Sequence, residues 1–169
     1  MATTRPLDAV IFGATGDTGS AAVRLLYHQA ASVGVETWAP AARNLQKLQA
    51  DVLDPLRAAA EGGERWTELI QADVDDLESL IKMCEKTKVV IACAGPYEHY
   101  GEAVIAACIR GGSHYVDVVS TTVCGVTLQI AVTCVSIADG RGGLGKCHAQ
   151  EVQQRREGQG GFDCEFLRL

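Results

Sequence analysis

Residues 7–19 read LDAVIFGATGDTG, an apolar run that breaks into three glycines at three-residue spacing, Gly13, Gly16 and Gly19. An apolar strand followed at once by glycines is a chain that must turn through backbone angles glycine takes freely, and that must let a ligand approach with no Cβ in the way. Residues 18–31, TGSAAVRLLYHQAA, then carry Val23, Leu26 and Tyr27 at helical spacing, so a helix N-terminus with its free N–H groups and positive dipole end faces the same point. Strand, glycine turn and helix in this order form the phosphate-binding turn of a dinucleotide site. In this reading Gly13 makes the turn, Gly16 permits the close approach of a pyrophosphate and Gly19 lets helix pack tightly on strand.

From that first unit the pattern of strand and helix continues down the chain. Strands are expected at Leu7–Phe12, Glu36–Ala42, Glu68–Ala72, Val89–Ala94 and His114–Val118, and helices at Thr18–Ala31, Leu45–Ala60, Asp76–Lys86 and Glu102–Arg110. Such alternation specifies an α/β fold, a doubly wound parallel sheet with helices on both faces. Two prolines disturb it. Pro40 removes a ladder hydrogen bond from an inner strand, which favours an end of strand two before it, and Pro55 should kink or split the second helix. Asp75 or Asp76 can cap the third helix, and Gly111-Gly112 stops the fourth.

The character changes after Val119. Residues 120–169 hold eight of the 18 glycines and four of the seven cysteines, so the regular alternation is not expected to continue. Thr127–Val135 has the composition of one more strand, and the last thirty residues, without a sustained period, are expected to be poorly ordered. The division that follows is a dinucleotide-binding domain over residues 1–119 and a divergent tail over 120–169.

Composition narrows the class further. At 169 residues and 47% hydrophobic, the chain is long enough for one domain with a sizeable core. Residues 1–119 hold 10 basic and 16 acidic groups and residues 120–169 five of each, which argues against a nucleic-acid surface. The N-terminus lacks a secretory pattern and no apolar run reaches the length of a membrane helix. Seven cysteines, an odd number with no C-x-x-C pair, read as reduced thiols of an intracellular protein, with no metal site. His148 beside Cys147 is not a nucleophile and base, because adjacent residues of a strand point to opposite faces. No catalytic acid or base is assigned.

The end of strand two discriminates between dinucleotides. A carboxylate there takes a ribose 2′-hydroxyl, whereas an arginine accommodates a 2′-phosphate. This chain has Ala41-Ala42-Arg43-Asn44, with a guanidinium and no carboxylate, so NADP is expected rather than NAD. Asp73, just after strand three, is within reach of an adenine edge or serves only as a loop residue.

Three segments together carry a resemblance: GATGDTG at 13–19, the A-x-R-N-x-x-K-L pattern at 41–48, and AGPYEHYGEAVIAACIRGGSHYVD at 94–117. Over about Asp8 to Val118 the chain resembles the N-terminal domain of the saccharopine dehydrogenase-like oxidoreductases. The resemblance implies a Rossmann-type domain binding NADP, with Gly13, Thr15, Gly16, Asp17, Thr18 and Gly19 around the pyrophosphate, Arg43 by the adenosine ribose, and Ala94, Gly95, Pro96 and Tyr97 on the nicotinamide side. It further implies an oxidoreductase linked to lipid metabolism, cytoplasmic or associated with lipid droplets, another lipid surface or mitochondria; a homo-oligomer is a separate expectation. Asp17 stands where the family carries an aromatic, and Ala42 where it has glycine. Val119-Ser120-Thr121-Thr122 replaces a Ser-Gly-Glu continuation that leads into a substrate domain, so the sheet is expected to be incomplete and the chain to be a truncated or altered reading frame, or a short isoform. The alternative reading is a non-catalytic NADP(H)-binding or interaction protein.

Overall fold

A computed structural model describes residues 5–59, 65–95, 97–122, 128–135 and 148–151. Strand β1 (Leu7–Phe12) leads through the glycine turn into helix α1 (Asp17–Gln29) and a short 3-10 turn (Ala30–Val33). Then follow β2 (Trp38–Ala42), α2 (Leu45–Leu48), α3 (Asp54–Ala59), β3 (Ile70–Gln71), α4 (Leu77–Lys86), β4 (Thr87–Ala92), α5 (Tyr97–Gly111), β5 (His114–Thr122), β6 (Leu128–Val135) and β7 (His148–Glu151). The strands form one sheet in the order β3-β2-β1-β4-β5-β6-β7. The first five are parallel, and β6 and β7 add antiparallel strands beyond β5.

Burial on both faces explains the near-continuous apolar β1. Alternate residues divide between two cores: Val10 and Phe12 pack with Val90, Ala92, Tyr115 and the α4–α5 side chains Leu80, Met83, Val104 and Ala107. Ala9 and Ile11 face Val23, Leu26 and Tyr27 of α1 together with Leu48, Val52 and Leu53. The period of two along the strand and of 3.6 along the helices therefore meet at the same surfaces.

The strand that was expected to end before Pro40 runs through it. The carbonyls of Trp38 and Ala42 accept from Thr67 and Ala72, whereas that of Ala41 accepts from Gly13 and Ala14. Pro40 shares the parity of Trp38 and Ala42, so its imino nitrogen faces the β3 side, where β3 pairs only with Ala41 and Ala42, and the β1–β2 ladder is left whole. Pro55 distorts its helix: the helical run continues from Leu45 to Ala59, but a wide π-type turn over Gln49–Leu53 separates α2 from α3 just ahead of Pro55, whose missing N–H takes one bond out of the ladder. Asp76 caps α4 by accepting from the Ser79 amide at 3.2 Å. Gly112, at φ 74°, ends α5.

Other boundaries shift by a few residues. β3 is shorter than expected and β4 begins two residues earlier, at Thr87, while α5 starts at Tyr97, a full turn before Glu102. β5 continues through residue 119 to Thr122, and the strand expected at Thr127–Val135 is β6. Within the tail expected to be poorly ordered, His148–Glu151 forms β7, paired with Ala131–Cys134; the rest of residues 140–169 lies outside the described residues. The sheet is thus extended by an antiparallel ribbon, which the period of the glycine-rich tail does not announce.

Candidate functional site

Strand β1 has β2 on one side and β4 on the other; the chain leaves β1 toward β2 and leaves β4 toward β5, in opposite directions, so the carboxyl ends of β1 and β4 meet at a topological switch point. The glycine turn sits there. Gly13, at φ 82°, has a backbone that excludes side chains, and a Cβ on it would lie 2.6 Å from the Ala94 nitrogen. The Gly13 and Ala14 amides both donate to the Ala41 carbonyl at 3.0 and 3.1 Å, and the Cys93 amide donates to the Phe12 carbonyl at 2.8 Å. Turn, β2 end and β4 end are consequently fastened together by backbone alone.

Gly19 and Gly16 differ sharply. A Cβ on Gly19 would fall on the Gly13 carbonyl, so this buried glycine lets α1 seat directly on the turn. Among the described residues a Cβ at Gly16 would meet only the Gly13 oxygen, at 3.5 Å, and the backbone there is extended at φ −81° and ψ 170°. No neighbour among the described residues requires glycine at this exposed position. Space is left open at the N-terminus of a 13-residue helix that has no side-chain cap, which is the arrangement that admits an anion against backbone N–H groups. Asp17 and Thr18 occupy the first turn of α1, both exposed, and Thr15 is half-buried in the turn.

Arg43 follows β2 directly and is solvent-facing, with 74% of its side chain exposed. Its Nε lies 4.0 Å from Oδ2 of Asp73, and Gln71 at the end of β3 donates to the Arg43 carbonyl at 3.2 Å. Asp73 is itself held in its loop, with its amide donating to the Ser79 hydroxyl and its Oδ1 accepting from the Asp75 amide. Arg43, Asn44, Leu45, Gln46 and Gln71 line an open cleft of about 520 Å³. Gln71, Asn44, Leu45 and Gln46 are lining residues that the sequence reading missed; their place just after β2 and at the end of β3 was the available signal. The Asn44 side chain caps α2 by accepting from the Lys47 amide at 3.0 Å.

On the opposite side of the switch point, Ala94 and Gly95 follow β4, half-buried and exposed respectively, with Ala94 against Gly13. Tyr97 is the first residue of α5, and Pro96 lies outside the described residues. The structure therefore brings the glycine turn and Ala94-Gly95 to one crevice, and sets Arg43 and Asp73 at the ends of the neighbouring strands β2 and β3. Among the described residues no group of three His, Cys, Asp or Glu could hold a metal ion, and no helix is long and apolar enough to cross a membrane.

Residues 9–146 match the family described as the saccharopine dehydrogenase NADP binding domain. The chain belongs to this family. As a saccharopine dehydrogenase NADP-binding domain it is 37% identical over 121 residues to the saccharopine dehydrogenase-like oxidoreductase of Rattus norvegicus, covering 68% of this chain and 28% of that protein. The Homo sapiens protein of the same name is 36% identical over the same extent. The lipid droplet localized protein of Caenorhabditis elegans is 35% identical over 111 residues, covering 66% of this chain and 26% of its own length. The chain spans about a quarter of the length of these curated relatives. Among solved structures, apo saccharopine dehydrogenase (L-Glu forming) from Saccharomyces cerevisiae aligns with a TM-score of 0.49 and 23% identity, over 69% of this chain and 22% of that one. NADP, expected from the arginine after β2, is the dinucleotide of this family.

Proposed function

We propose that this chain is the cofactor-binding part of an NADP-dependent oxidoreductase, with residues 1–119 as the nucleotide-binding unit and a role in lipid metabolism. The observation that carries the reading is Gly16: an open, Cβ-free position at an uncapped helix N-terminus, beside two glycines whose own absence of a side chain is explained by packing. Gly13, Thr15, Gly16, Thr18 and Gly19 would hold the pyrophosphate by backbone N–H groups and hydroxyls, with Asp17 in the exposed first turn. Arg43 would pair with the 2′-phosphate and Asp73 would border the adenine. Ala94, Gly95, Pro96 and Tyr97 would line the nicotinamide side. The bound nicotinamide supplies hydride chemistry; the chain's residues supply position and electrostatics. The link to lipids is supported by the name of the Caenorhabditis elegans relative.

Titration with NADPH and NADH, by calorimetry or nicotinamide fluorescence, tests the assignment. NADPH is expected to bind more tightly, and Arg43→Ala to weaken NADPH about 10- to 100-fold, as for loss of a charge-assisted contact of about 1.5–3 kcal/mol, while leaving NADH unchanged. Equal affinities would overturn the NADP assignment. Steady oxidation of NADPH with an enoyl- or keto-lipid substrate separates an oxidoreductase from a protein that binds the cofactor without turnover.

A further inference from the structure

Away from the crevice, two thiols meet between the last turns of α4 and α5. The Sγ atoms of Cys84 and Cys108 are 3.6 Å apart, and both residues are fully buried. Close approach of the helices makes this contact. A Cβ on Gly111 would lie 2.6 Å from the Cys84 Cβ, so the missing side chain lets the end of α5 press on α4 with nothing between the sulfurs. Exposed residues follow each buried cysteine: Glu85 and Lys86 after Cys84, Ile109 and Arg110 after Cys108. The Arg5 guanidinium donates to the Cys84 carbonyl at 2.7 Å and to the Gly111 carbonyl at 2.7 Å, placing a fixed positive charge beside the pair. Its hydrogen bond with Cys108 draws the Cys84 thiol below its ordinary range, while the same bond, with burial, pushes Cys108 up. Either sulfur can donate to the other across this contact, and the guanidinium beside them favours a thiolate at the pair.

We infer that Cys84 and Cys108 form a dithiol that a hydroperoxide oxidises to an intramolecular disulfide, locking α4 to α5. In the first step a thiolate of the pair attacks the distal peroxide oxygen, the O–O bond breaks, and the alkoxide leaves and takes a proton to give an alcohol, with that cysteine now a sulfenic acid. In the second, the other cysteine, losing its proton, attacks that sulfur and expels hydroxide, which leaves as water. Two thiols and one hydroperoxide give one disulfide, one alcohol and one water. The reaction draws on no residue of the crevice.

The test treats the full chain with excess tert-butyl hydroperoxide, blocks remaining thiols, digests with trypsin and maps cross-links by mass spectrometry. The expected product joins the peptide Met83–Lys86 to the peptide Val89–Arg110 with loss of two hydrogens, and fragmentation places the link at Cys108, not Cys93. Oxidation is expected to raise the melting temperature by about 5–10 °C, as for a cross-link across a loop of this size, and Cys84→Ala and Cys108→Ala, each shown folded by circular dichroism, to abolish both the link and the rise. Blocked free thiols at both positions after treatment, or a disulfide from either cysteine to another position, would overturn the inference.

Discussion

At the scale of single residues, the three glycines of the turn are alike in sequence and unlike in cause. Gly13 is fixed by a positive φ and by the Ala94 backbone, Gly19 by the Gly13 carbonyl, and Gly16 by nothing among the described residues. Substitution should therefore separate folding from binding. Gly16→Val is expected to melt within a few degrees of the parent, since extended backbone suits a β-branched residue, yet to lose NADPH binding in a titration. Gly19→Ala is expected to lose about 3 kcal/mol or more of stability in urea unfolding, because its Cβ strikes backbone that cannot yield. A Gly16→Val chain that binds NADPH normally would show that the pyrophosphate lies elsewhere. Glycine spacing reveals that a turn exists; which glycine is open to ligand is decided by three-dimensional neighbours that the spacing does not contain.

At the scale of elements, the amino-terminal edge of the sheet depends on a residue that sequence patterning passed over. Arg5 donates to the carbonyls of Cys84, Thr87 and Gly111 at 2.6–2.7 Å. Two of these belong to the closing turns of α4 and α5, so one cation adds a partner to carbonyls at both helix ends, that of Cys84 also accepting from the Thr87 amide, and meets the negative ends of both helix dipoles. Gly112 leaves it room, for a Cβ there would lie 2.8 Å from the Arg5 Nη2. Arg5→Met is expected to lower stability by about 2–4 kcal/mol in denaturant unfolding, and Arg5→Lys to recover only part of it, because an ammonium cannot span three carbonyls as a planar fork does. Elements that obey local periods, such as α4 with its Asp76 cap, were legible from sequence. Pro40 was not, because whether a proline interrupts a strand depends on which neighbour its nitrogen faces. Arg5 was invisible for the same reason: its partners lie 79 to 106 residues away.

At the scale of the whole molecule, Asp8 joins three parts of the sheet. Its carboxylate accepts from Lys88 of β4 at 2.7 Å, from the Glu36 and Thr37 amides ahead of β2 at 2.9 and 3.0 Å, and from the Thr37 hydroxyl at 3.2 Å. The Lys88 contact foremost, then the Thr37 amide, holds this carboxyl well below the ordinary range in the folded chain. A depressed folded value means that the charged form stabilises the fold. That contribution is complete above the unfolded carboxyl's pKa of about 3.9 and is lost as pH falls further, toward the folded value. Asp8→Asn should accordingly be less stable than the parent at pH 7, with the gap narrowing below about pH 4 in acid-dependent urea melts; a gap that stays constant to pH 2 would contradict the linkage. The parallel five-strand framework and the crevice at the switch point were readable from alternation alone, whereas the ribbon of β6 and β7 was only half readable, since antiparallel pairing rests on contacts made across the sheet. The backbone fastening of Gly13 and Ala14 to Ala41, and of Phe12 to Cys93, also bears on kinetics. A turn already held by its neighbours needs no rearrangement when a dinucleotide arrives, so encounter sets the on-rate, and discrimination between NADPH and NADH should appear in residence time, as different dissociation rates at similar association rates in stopped-flow traces.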